Sequence, residues 1–316
     1  MLIAGPNLTV DRVIGVDRFD AGHIHHVRDV DARIGGGGPN AARTAIQLGA
    51  PARLITLIPE PDLPTIPDAL ARAGIDVEWV TCQGNVRVAT ILREERGRMS
   101  VLNEPGPEVS AREWEAFSKL TEASLRPGEV LLCSGSLPPG APRDGYSRLA
   151  RLARHNGSRT IIDVAGEALA HAIEDGEGLV VPNLAEAEIF LYGPREQAVH
   201  AEGDAPERAL DAAIELLRRG APRAVVTAGA AGAAYAEQGP DGLRGWVEAP
   251  RVDAVNPIGA GDAFAAALGL RLEAGDPLDE AVRFACATAA AHVESPKRVL
   301  SRARADELAA TVPTAA

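Results

Sequence analysis

Short apolar segments bounded by turn residues recur along the chain and are separated by amphipathic stretches. The apolar segments lie at residues 2–4, 53–58, 130–133, 160–163, 178–181 and 224–227. Stretches between them, at residues 41–48, 113–120 and 209–217, repeat their apolar residues at the period of a helix. Strands that alternate with helices predict a mostly parallel central sheet covered on both faces, which is a three-layer α/β/α sandwich.

Two regions, residues 10–34 and 86–103, break this pattern. They contain segments of alternating apolar and polar residues, such as RVATILREE and RMSVLN, without a stretch long enough for a helix. Such segments predict antiparallel strands outside the main sheet, and we expect them to form a small antiparallel β lid. The chain of 316 residues is therefore expected to be a single domain, residues 1–316, with the lid as an appendage.

Composition and charge narrow the classes of function. Hydrophobic residues make up 46% and charged residues 24%, as in ordinary globular proteins. The formal net charge of −12 argues against a surface for nucleic acid or for an anionic membrane. The N-terminal residues lack a basic region followed by an apolar stretch, and no run reaches about 18 apolar residues, so we expect neither a signal peptide nor a membrane anchor.

The three cysteines, Cys82, Cys133 and Cys286, lie far apart in apolar surroundings. This placement favours buried reduced thiols over a disulfide or a metal-binding set, and it predicts a cytoplasmic protein.

The run NPIGAGDAF at residues 256–264 carries the strongest chemical signal. Gly259, Ala260 and Gly261 precede an Ala-rich apolar stretch that we expect to be a buried helix. Their amides would form an anion hole for a phosphoryl group at the helix N-terminus. Asp262 in the first turn would then accept the proton of an attacking hydroxyl group. The alternative is a helix start with an ordinary acidic residue.

A second glycine-rich run, IGGGGPNAAR at residues 34–43, leads into another predicted helix. Pro39 suits the first helical position, and the glycines leave the backbone bare for a small polar ligand. Asn40 offers both a donor and an acceptor to sugar hydroxyls. The run is not a P-loop, because no Lys-Ser or Lys-Thr follows the glycines. The alternative is a glycine cluster that serves only as a turn.

Two further runs follow predicted strands. In PNLAE, Asn183 and Glu186 would lie on one helix face and order Mg²⁺ and its waters near nucleotide phosphates. The alternative is a helix cap in which the two residues form a capping box. In TAGAAG, at residues 227–232, Thr227 and the amides that follow it would meet nucleotide phosphates, and a hairpin turn explains the run equally well.

These four runs, in this order, resemble the PfkB or ribokinase-like family of carbohydrate kinases over nearly the whole chain. Three further runs, NEPGP at residues 103–107, SGSLPPG at 134–140 and DVAGEAL at 163–169, look most similar to its phosphofructokinase and tagatose-6-phosphate kinase branch. The four glycines resemble the 6-phosphofructokinase members, since 1-phosphofructokinases usually have lysine at the position of Gly37. The resemblance implies a ribokinase-like fold and ATP-dependent phosphoryl transfer with Mg²⁺.

The resemblance also implies roles for individual residues. Asp262 would be the general base, with Gly259, Ala260 and Gly261 as the anion hole. The sugar would be held by Asp11, Gly36, Gly37 and Asn40, and its phosphate by Arg87. The nucleotide would meet Asn183, Thr227, Gly229, Gly232 and Cys286, while Mg²⁺ would be held through water by Asn183 and Glu186, and a monovalent cation such as K⁺ by Asp253.

The chain departs from the family pattern at three places. The asparagine that usually follows the lid arginine by two positions is Ala89, and the lysine typical of the early lid strand is His23. A neutral imidazole is a poorer phosphate partner than lysine. The usual glycine-rich stretch after the second strand is replaced by Pro59-Glu60-Pro61.

The leading hypothesis is phosphoryl transfer from MgATP to a furanose sugar phosphate, with fructose 6-phosphate preferred over fructose 1-phosphate and tagatose 6-phosphate. An unphosphorylated sugar or nucleoside as acceptor is the alternative. A non-catalytic protein that senses a sugar or nucleotide is a third hypothesis. Because exposed edge strands of a lid are often covered by a second subunit, we also expect a homodimer formed through the lid.

Overall fold

The computed structural model of the chain describes residues 1–27, 30–95, 97–193, 205–239, 242–295 and 299–312. Within these residues the chain forms thirteen strands and ten helices. The strands are β1 (Leu2–Ala4), β2 (Thr9–Val16), β3 (Val30–Gly35), β4 (Arg53–Pro59), β5 (Asp76–Cys82), β6 (Arg87–Glu94), β7 (Met99–Asn103), β8 (Val130–Ser134), β9 (Arg159–Asp163), β10 (Leu179–Val180), β11 (Arg223–Thr227), β12 (Gly232–Glu237) and β13 (Arg244–Glu248). The helices are α1 (Gly37–Gln47), α2 (Ile66–Arg72), α3 (Ala111–Ser124), α4 (Gly145–His155), α5 (Gly166–Glu174), α6 (Leu184–Tyr192), α7 (Ala205–Arg218), α8 (Ala260–Glu273), α9 (Leu278–Val293) and α10 (Arg302–Thr311).

The main sheet runs in the order β13-β12-β11-β10-β9-β8-β1-β4-β5 across the described residues. Neighbouring strands are parallel from β11 to β5, and β12 and β13 add antiparallel pairs at one edge. All residues of β1 and β8 are buried, because helices cover both faces of the sheet. Such strands appear in the sequence as continuous apolar segments. The predicted mostly parallel sheet is confirmed, and the six apolar segments lie at β1, β4, β8, β9, β10 and β11.

The helices divide between the two faces of this sheet. On one face, buried residues of α1, α2, α8, α9 and α10 join those of the strands in one apolar cluster. On the other face, α3, α4, α5, α6 and α7 form a second cluster. Helix α8 is buried over most of its length, as its Ala-rich sequence predicts. The predicted three-layer sandwich is thereby confirmed.

Four strands form a second sheet, the lid, in the order β3-β2-β6-β7. β2 pairs with β3, and β6 with β7, in antiparallel register. The two pairs join through parallel pairing of β2 with β6. The predicted lid segments at residues 10–34 and 86–103 match these four strands to within one residue. The alternation of apolar and polar residues is the signal that predicts them. The parallel junction leaves no local signal, since it joins segments that are far apart in the chain.

The glycine-rich run at residues 34–43 lies where α1 packs against the sheet. A Cβ atom on Gly5, just after β1, would lie 2.7 Å from the Cα atom of Gly38. A Cβ atom on Gly37 would lie 2.6 Å from the backbone nitrogen of Gly135, just after β8. Neither approach leaves room for a larger residue. The glycines therefore allow the first turn of α1 to reach the carboxyl ends of β1 and β8.

Two features of the structure, the hydrophobicity of its helices and the placement of its cysteines, bear on the expected class of protein. Among the described residues, no helix is both long enough and apolar enough to cross a membrane. Cys82, Cys133 and Cys286 are all buried and none forms a disulfide, as their apolar surroundings predict.

Candidate active site

A cleft of connected cavities lies at the carboxyl ends of the parallel strands, where the lid meets the main sheet. The lid cavity, of about 810 Å³, is bordered by Arg87 and Asn103 of the lid and by Asp163 of β9. The central cavity, of about 240 Å³, shares Asp163 and Asp262 with it. The hairpin cavity, of about 400 Å³, adjoins the central one at Thr227. Ligands of open parallel sheets bind at this edge.

The loop before α8 is held in a fixed shape. Gly259, the N-cap residue, has a φ of 84°, a left-handed conformation that favours glycine. Asn256 Oδ1 accepts a hydrogen bond from the Ile258 amide at 3.2 Å. His292 Nε2, from α9, lies 2.9 Å from the Ile258 carbonyl oxygen. The Ala260 amide donates to the carbonyl oxygen three residues earlier, at 3.2 Å, so one of the three predicted anion-hole amides is engaged in the turn.

Gly259, Ala260 and Gly261 border the central cavity together with Asp262. All four lie at the N-terminus of α8, where backbone N–H groups and the helix dipole attract negative charge. The structure thus brings the glycine-rich turn and the carboxyl group to one small space, as expected from their adjacency in the sequence. The ordinary helix start, the alternative interpretation, is also present, since Asp262 lies in the first turn.

A side chain from α1 orients the Asp262 carboxyl group. Asn40 Nδ2 donates a hydrogen bond to Asp262 Oδ2 at 2.8 Å. Asn40 is itself buried, and its Oδ1 accepts a hydrogen bond from Arg43 Nη1 at 3.4 Å. Arg43 Nη2 in turn donates to the Ile34 carbonyl oxygen at 2.6 Å. The sequence predicts that Asn40 contacts sugar hydroxyls. In the structure its amide nitrogen donates instead to the Asp262 carboxylate.

Three carboxyl groups, from Asp163, Glu186 and Asp262, converge on the central cavity. Burial, followed by repulsion from Asp262 and Glu186, raises the pKa of Asp163 to about 8, while a hydrogen bond from Ser134 Oγ at 3.2 Å opposes the shift. Burial also raises the pKa of Glu186, and its hydrogen bonds with Asn183 oppose that shift. This concentration of acidic groups disfavours a fully ionised site unless a cation is present.

The donor set fits Mg²⁺, which prefers carboxylate and water oxygens. The sequence run DVAGEAL begins with Asp163, but sequence reasoning missed that this residue borders the central cavity. The available signal was a carboxyl group at the end of a continuous apolar segment, a position at which parallel sheets place their functional groups.

Asn183 and Glu186 form the capping box that was the alternative interpretation of their spacing. The Glu186 amide donates to Asn183 Oδ1 at 2.9 Å, and the Asn183 amide donates to Glu186 Oε2 at 3.0 Å. Both residues nevertheless border the central cavity. The cap therefore fixes the Glu186 side chain at the cleft, and the role of the pair at Mg²⁺ stays a prediction.

At the other side of the cleft, the Arg87 guanidinium group is only partly paired. Its Nη1 donates to the Glu104 carbonyl oxygen at 3.3 Å and its Nη2 to the Asn7 carbonyl oxygen at 3.4 Å. Within the described residues, Arg87 Nε is buried without a hydrogen-bond partner. Burial lowers the pKa of Arg87, whereas the charge of Asp11 opposes this shift. An anion in the lid cavity would relieve both the burial of the charge and the missing hydrogen bond.

Other predicted sugar-binding residues lie farther from the open space. Asp11 is buried, and a Cβ atom on Gly35 would lie 2.3 Å from its Oδ2. Among the described residues that border the lid cavity are Gly37 and Arg87, but neither Asp11 nor Gly36.

Ala89 stands where the family pattern usually has asparagine, and the neighbouring strand β7 carries an amide side chain opposite it. Ala89 is buried in β6, and the residue opposite it in β7 is Asn103. Asn103 borders the lid cavity. An amide side chain is therefore present at the cavity, although sequence reasoning missed it because cross-strand register is not visible in the sequence.

Four of the five predicted nucleotide residues border the hairpin cavity, and the fifth, Asn183, borders the central cavity. Thr227 ends β11 and Gly229 lies in the turn that leads to β12; the antiparallel pairing of these strands confirms the hairpin interpretation, while the role at a nucleotide stays a prediction. Gly232 has a φ of 138°, and a Cβ atom there would lie 2.0 Å from the Val247 carbonyl oxygen. Burial raises the pKa of the Cys286 thiol to about 12, so Cys286 is a neutral apolar wall of the cavity.

The remaining predictions concern exposed positions. Asp253 is exposed in the segment between β13 and α8, next to Val252 and Ala254, which border the hairpin cavity. The role of Asp253 at a monovalent cation stays a prediction. His23 is exposed in the connection between β2 and β3.

Comparison with known proteins gives a family and a set of similar structures. The profile of the pfkB family carbohydrate kinases matches residues 7–302. Phosphofructokinase-2 from Escherichia coli, solved in complex with fructose-6-phosphate, is 26% identical, with a TM-score of 0.84 and coverage of 98% of each chain. The same enzyme has been solved in complex with potassium and in a tetrameric inhibited form. A possible 1-phosphofructokinase from Thermotoga maritima is 20% identical over 100% of this chain and 99% of its own, with a TM-score of 0.82, which shows the shared fold.

The raised pKa of Asp163 predicts a specific dependence of stability on pH. Between its ordinary pKa of 3.8 and about 8, the folded chain holds a proton that the unfolded chain has lost. Asp163 therefore lowers the free energy of unfolding as pH rises through this window, by at most about 1.4 kcal/mol per pH unit, and adds no further change above it.

We expect Asp163→Asn to remove this contribution, so its stability relative to the wild type should increase from pH 5 to pH 8 and then level off. Urea denaturation in EDTA at each pH measures the difference. Parallel stability profiles for the two proteins would show that Asp163 titrates normally.

Proposed function

The chain belongs to the pfkB family of carbohydrate kinases, and we propose that it transfers the γ-phosphoryl group of ATP to a hydroxyl group of a furanose sugar phosphate. Members of the family are sugar kinases, so the chain is a phosphotransferase with an alcohol group as acceptor. Membership leaves the hypothesis of a non-catalytic sensor without support. The observation that carries the proposal is that Asp262 and Arg87 border one cavity of about 810 Å³.

Asp262 is the proposed general base. A carboxylate at a helix N-terminus accepts the proton of the attacking hydroxyl while nearby amides stabilise negative charge on the phosphoryl group. The hydrogen bond from Asn40 orients the Asp262 carboxyl group where the lid cavity and the central cavity meet. Orientation of this kind, combined with exclusion of water by the lid, supplies most of the catalysis available to phosphoryl transfer.

The nucleotide would extend from the central cavity into the hairpin cavity. Adenine suits the hairpin cavity, whose border includes Phe264, Cys286 and Val293. Thr227, which borders both cavities, and Gly229 of the hairpin cavity would meet the phosphates. Mg²⁺ would be held by Glu186 and Asp163, directly or through water, and when bound it neutralises charge on the phosphates.

Arg87 would bind the phosphate group that the acceptor already carries. Its buried, partly paired guanidinium group suits an anion better than a neutral hydroxyl. Asn103 would donate to the same phosphate or to a sugar hydroxyl. The likeness to an Escherichia coli enzyme solved with fructose-6-phosphate supports fructose 6-phosphate as the acceptor.

An unphosphorylated sugar or nucleoside is the second candidate acceptor. Its support comes from Ala89, which is buried and whose side chain offers no hydrogen bond, and from His23, which is exposed in the connection between β2 and β3. Both positions usually carry phosphate-binding side chains in the phosphosugar branch that the chain resembles.

We also propose that the chain forms a homodimer through the lid. Val101 and Leu102 are exposed, at 51% and 60%, on β7, an edge strand of the lid whose unpaired side a second subunit could cover. A K⁺ site that includes Asp253 remains part of the proposal, supported by a similar enzyme that was solved with potassium. Unpaired buried cysteines and the use of ATP support a cytoplasmic location.

The first test removes the proposed base. Asp262→Asn keeps the side-chain size and its contact with Asn40 but cannot take a proton, so kcat should fall by about 10²–10⁴. A coupled ADP-release assay with fructose 6-phosphate measures the loss. Asp306→Asn, an exposed acidic position on α10, is the control and should keep full activity. Turnover of Asp262→Asn within threefold of the wild type would refute the assignment.

The second test distinguishes the two acceptor classes. Arg87→Gln should raise KM for a sugar phosphate by about 10-fold to 100-fold, the value of one or two charge-assisted hydrogen bonds, while KM for ATP is unchanged. Arg143→Gln, at the outer border of the same cavity, is the matched control. If activity is confined to neutral sugars, or if Arg87→Gln affects neutral and phosphorylated acceptors equally, the phosphosugar proposal is wrong.

The third test concerns assembly. Multi-angle light scattering of the wild type should give twice the mass of the chain, and Leu102→Asp should shift it to the monomer because it buries a charge in the apolar contact. Val299→Asp changes an exposed apolar residue just before α10 and should leave the dimer intact. A wild type that is monomeric at all concentrations contradicts a dimer through the lid.

A further inference from the structure

Asn7 lies at the junction of the lid and the main sheet, in the segment between β1 and β2. The residue is only 5% exposed. Its Nδ2 donates hydrogen bonds to the Pro105 carbonyl oxygen at 3.2 Å and to Ser136 Oγ at 3.0 Å. Pro105 follows β7 of the lid, and Ser136 follows β8 of the main sheet. One amide group therefore joins two segments, from different sheets, that both border the lid cavity.

The partners of Asn7 determine the orientation of its amide group. The Pro105 carbonyl oxygen can only accept a hydrogen bond, so the Asn7 atom that faces it has to be Nδ2. The opposite orientation would bring two carbonyl oxygens together and lose both bonds. Asn7 Oδ1 packs against Gly106, where a Cβ atom would lie 2.3 Å from it. The segment after β7 thus holds the amide in one orientation.

The polarity of the Asn7 side chain has a cost. Its Oδ1 is buried and has no hydrogen-bond partner among the described residues. A buried acceptor without a partner is unfavourable, whereas an apolar side chain of the same shape would avoid this cost. Packing alone therefore does not explain an amide at this position, and the bonds that Nδ2 donates are what distinguish it from leucine.

The bond from Asn7 determines what the Ser136 hydroxyl group can do. Ser136 Oγ is the acceptor in this bond, so its own O–H hydrogen points toward another partner. Within the described ranges, the Ser136 hydroxyl donates no hydrogen bond. Ser136 is exposed and borders the lid cavity. Its hydroxyl is therefore available as a donor to a ligand in that cavity.

The backbone of Asn7 holds a second donor at the same cavity. Arg87 Nη2 donates to the Asn7 carbonyl oxygen at 3.4 Å, and Arg87 Nη1 donates to the Glu104 carbonyl oxygen at 3.3 Å. Each of these nitrogens carries two N–H groups, so each has one left. A hydroxyl donor and a guanidinium donor, both in contact with one residue, suit a ligand group with negative charge and several acceptor oxygens.

We propose that Asn7 is a positioning residue for the acceptor, because it fixes the Ser136 hydroxyl as a hydrogen-bond donor beside Arg87. The inference rests on the proposed function and extends it to a residue that is not among the described residues bordering the three cavities of the cleft. The phosphate group of the acceptor is the ligand group that both donors suit. Without the Asn7 amide the hydroxyl rotates freely, and aligning it with the acceptor then costs entropy on binding.

The test is a double-mutant cycle between Asn7 and Ser136 with fructose 6-phosphate as the acceptor. Asn7→Leu keeps the side-chain volume and the backbone contact with Arg87 but removes the donor. We expect it to raise KM and Kd for fructose 6-phosphate about fivefold to tenfold, while kcat and KM for ATP stay within about twofold. Ser136→Ala should have a similar effect. In the Ser136→Ala background, Asn7→Leu should change KM by less than about twofold, because the hydroxyl that it positions is already absent.

Kinetic constants come from the coupled ADP-release assay, and Kd comes from isothermal titration calorimetry without ATP. Asn156→Leu is the matched control, since Asn156 Nδ2 also donates to a backbone carbonyl oxygen, that of Leu125 at 3.1 Å, but lies outside the cleft. It should bind and phosphorylate fructose 6-phosphate like the wild type. Urea denaturation checks that each variant folds, and Asn7→Ala replaces Asn7→Leu in the cycle if leucine is not accommodated.

The outcomes separate this inference from the proposed function. If the wild type phosphorylates fructose 6-phosphate and the Asn7 variant raises KM equally in both Ser136 backgrounds, the role of Asn7 is structural and the inference is overturned alone. The same holds if the Asn7 variant lowers kcat and leaves KM and Kd unchanged. A wild type that neither binds nor phosphorylates a sugar phosphate overturns the proposed acceptor, and this inference with it.

Discussion

Electrostatic repulsion among three carboxyl groups governs the arrangement of the cleft. Asp163, Glu186 and Asp262 come from different elements and converge on a space of about 240 Å³. Each is held by a hydrogen-bond donor: Ser134 for Asp163, the Asn183 amide for Glu186 and Asn40 for Asp262. Such a concentration of like charge persists only when protons or cations neutralise it. Neutralisation of this charge is therefore the condition that any ligand of the central cavity has to meet.

Much of the fold could be predicted because its signals are local. Strands buried on both faces appear as continuous apolar segments, and lid strands that face solvent on one side alternate. The strands β1, β4 and β8 lie where the first pattern placed them. The parallel junction of β2 with β6 could not be predicted, since it depends on pairing between distant segments. The short strand β10 was found only because it lies between a glycine and a proline.

The candidate site was predictable where its residues are adjacent in sequence and less so where the fold assembles them. Gly259–Gly261 and Asp262 form one run, so their proximity follows from the helix start. Asp163 was missed as a functional group, because only the sheet brings it to the other carboxyl groups. Asn103 was missed because its position at the cavity depends on register with Ala89. The spacing of Asn183 and Glu186 could not distinguish a helix cap from a pair that contacts a bound cation. In the structure the capping box leaves both residues at the border of the central cavity.

The bond between Asn40 and Asp262 joins positions 222 residues apart. Its donor belongs to the first helix of the chain, and its acceptor arrives with the eighth. All thirteen strands and the first seven helices among the described residues precede Asp262 in the chain. The hydrogen bond that orients this carboxyl group can therefore form only after every described strand of both sheets has been synthesised.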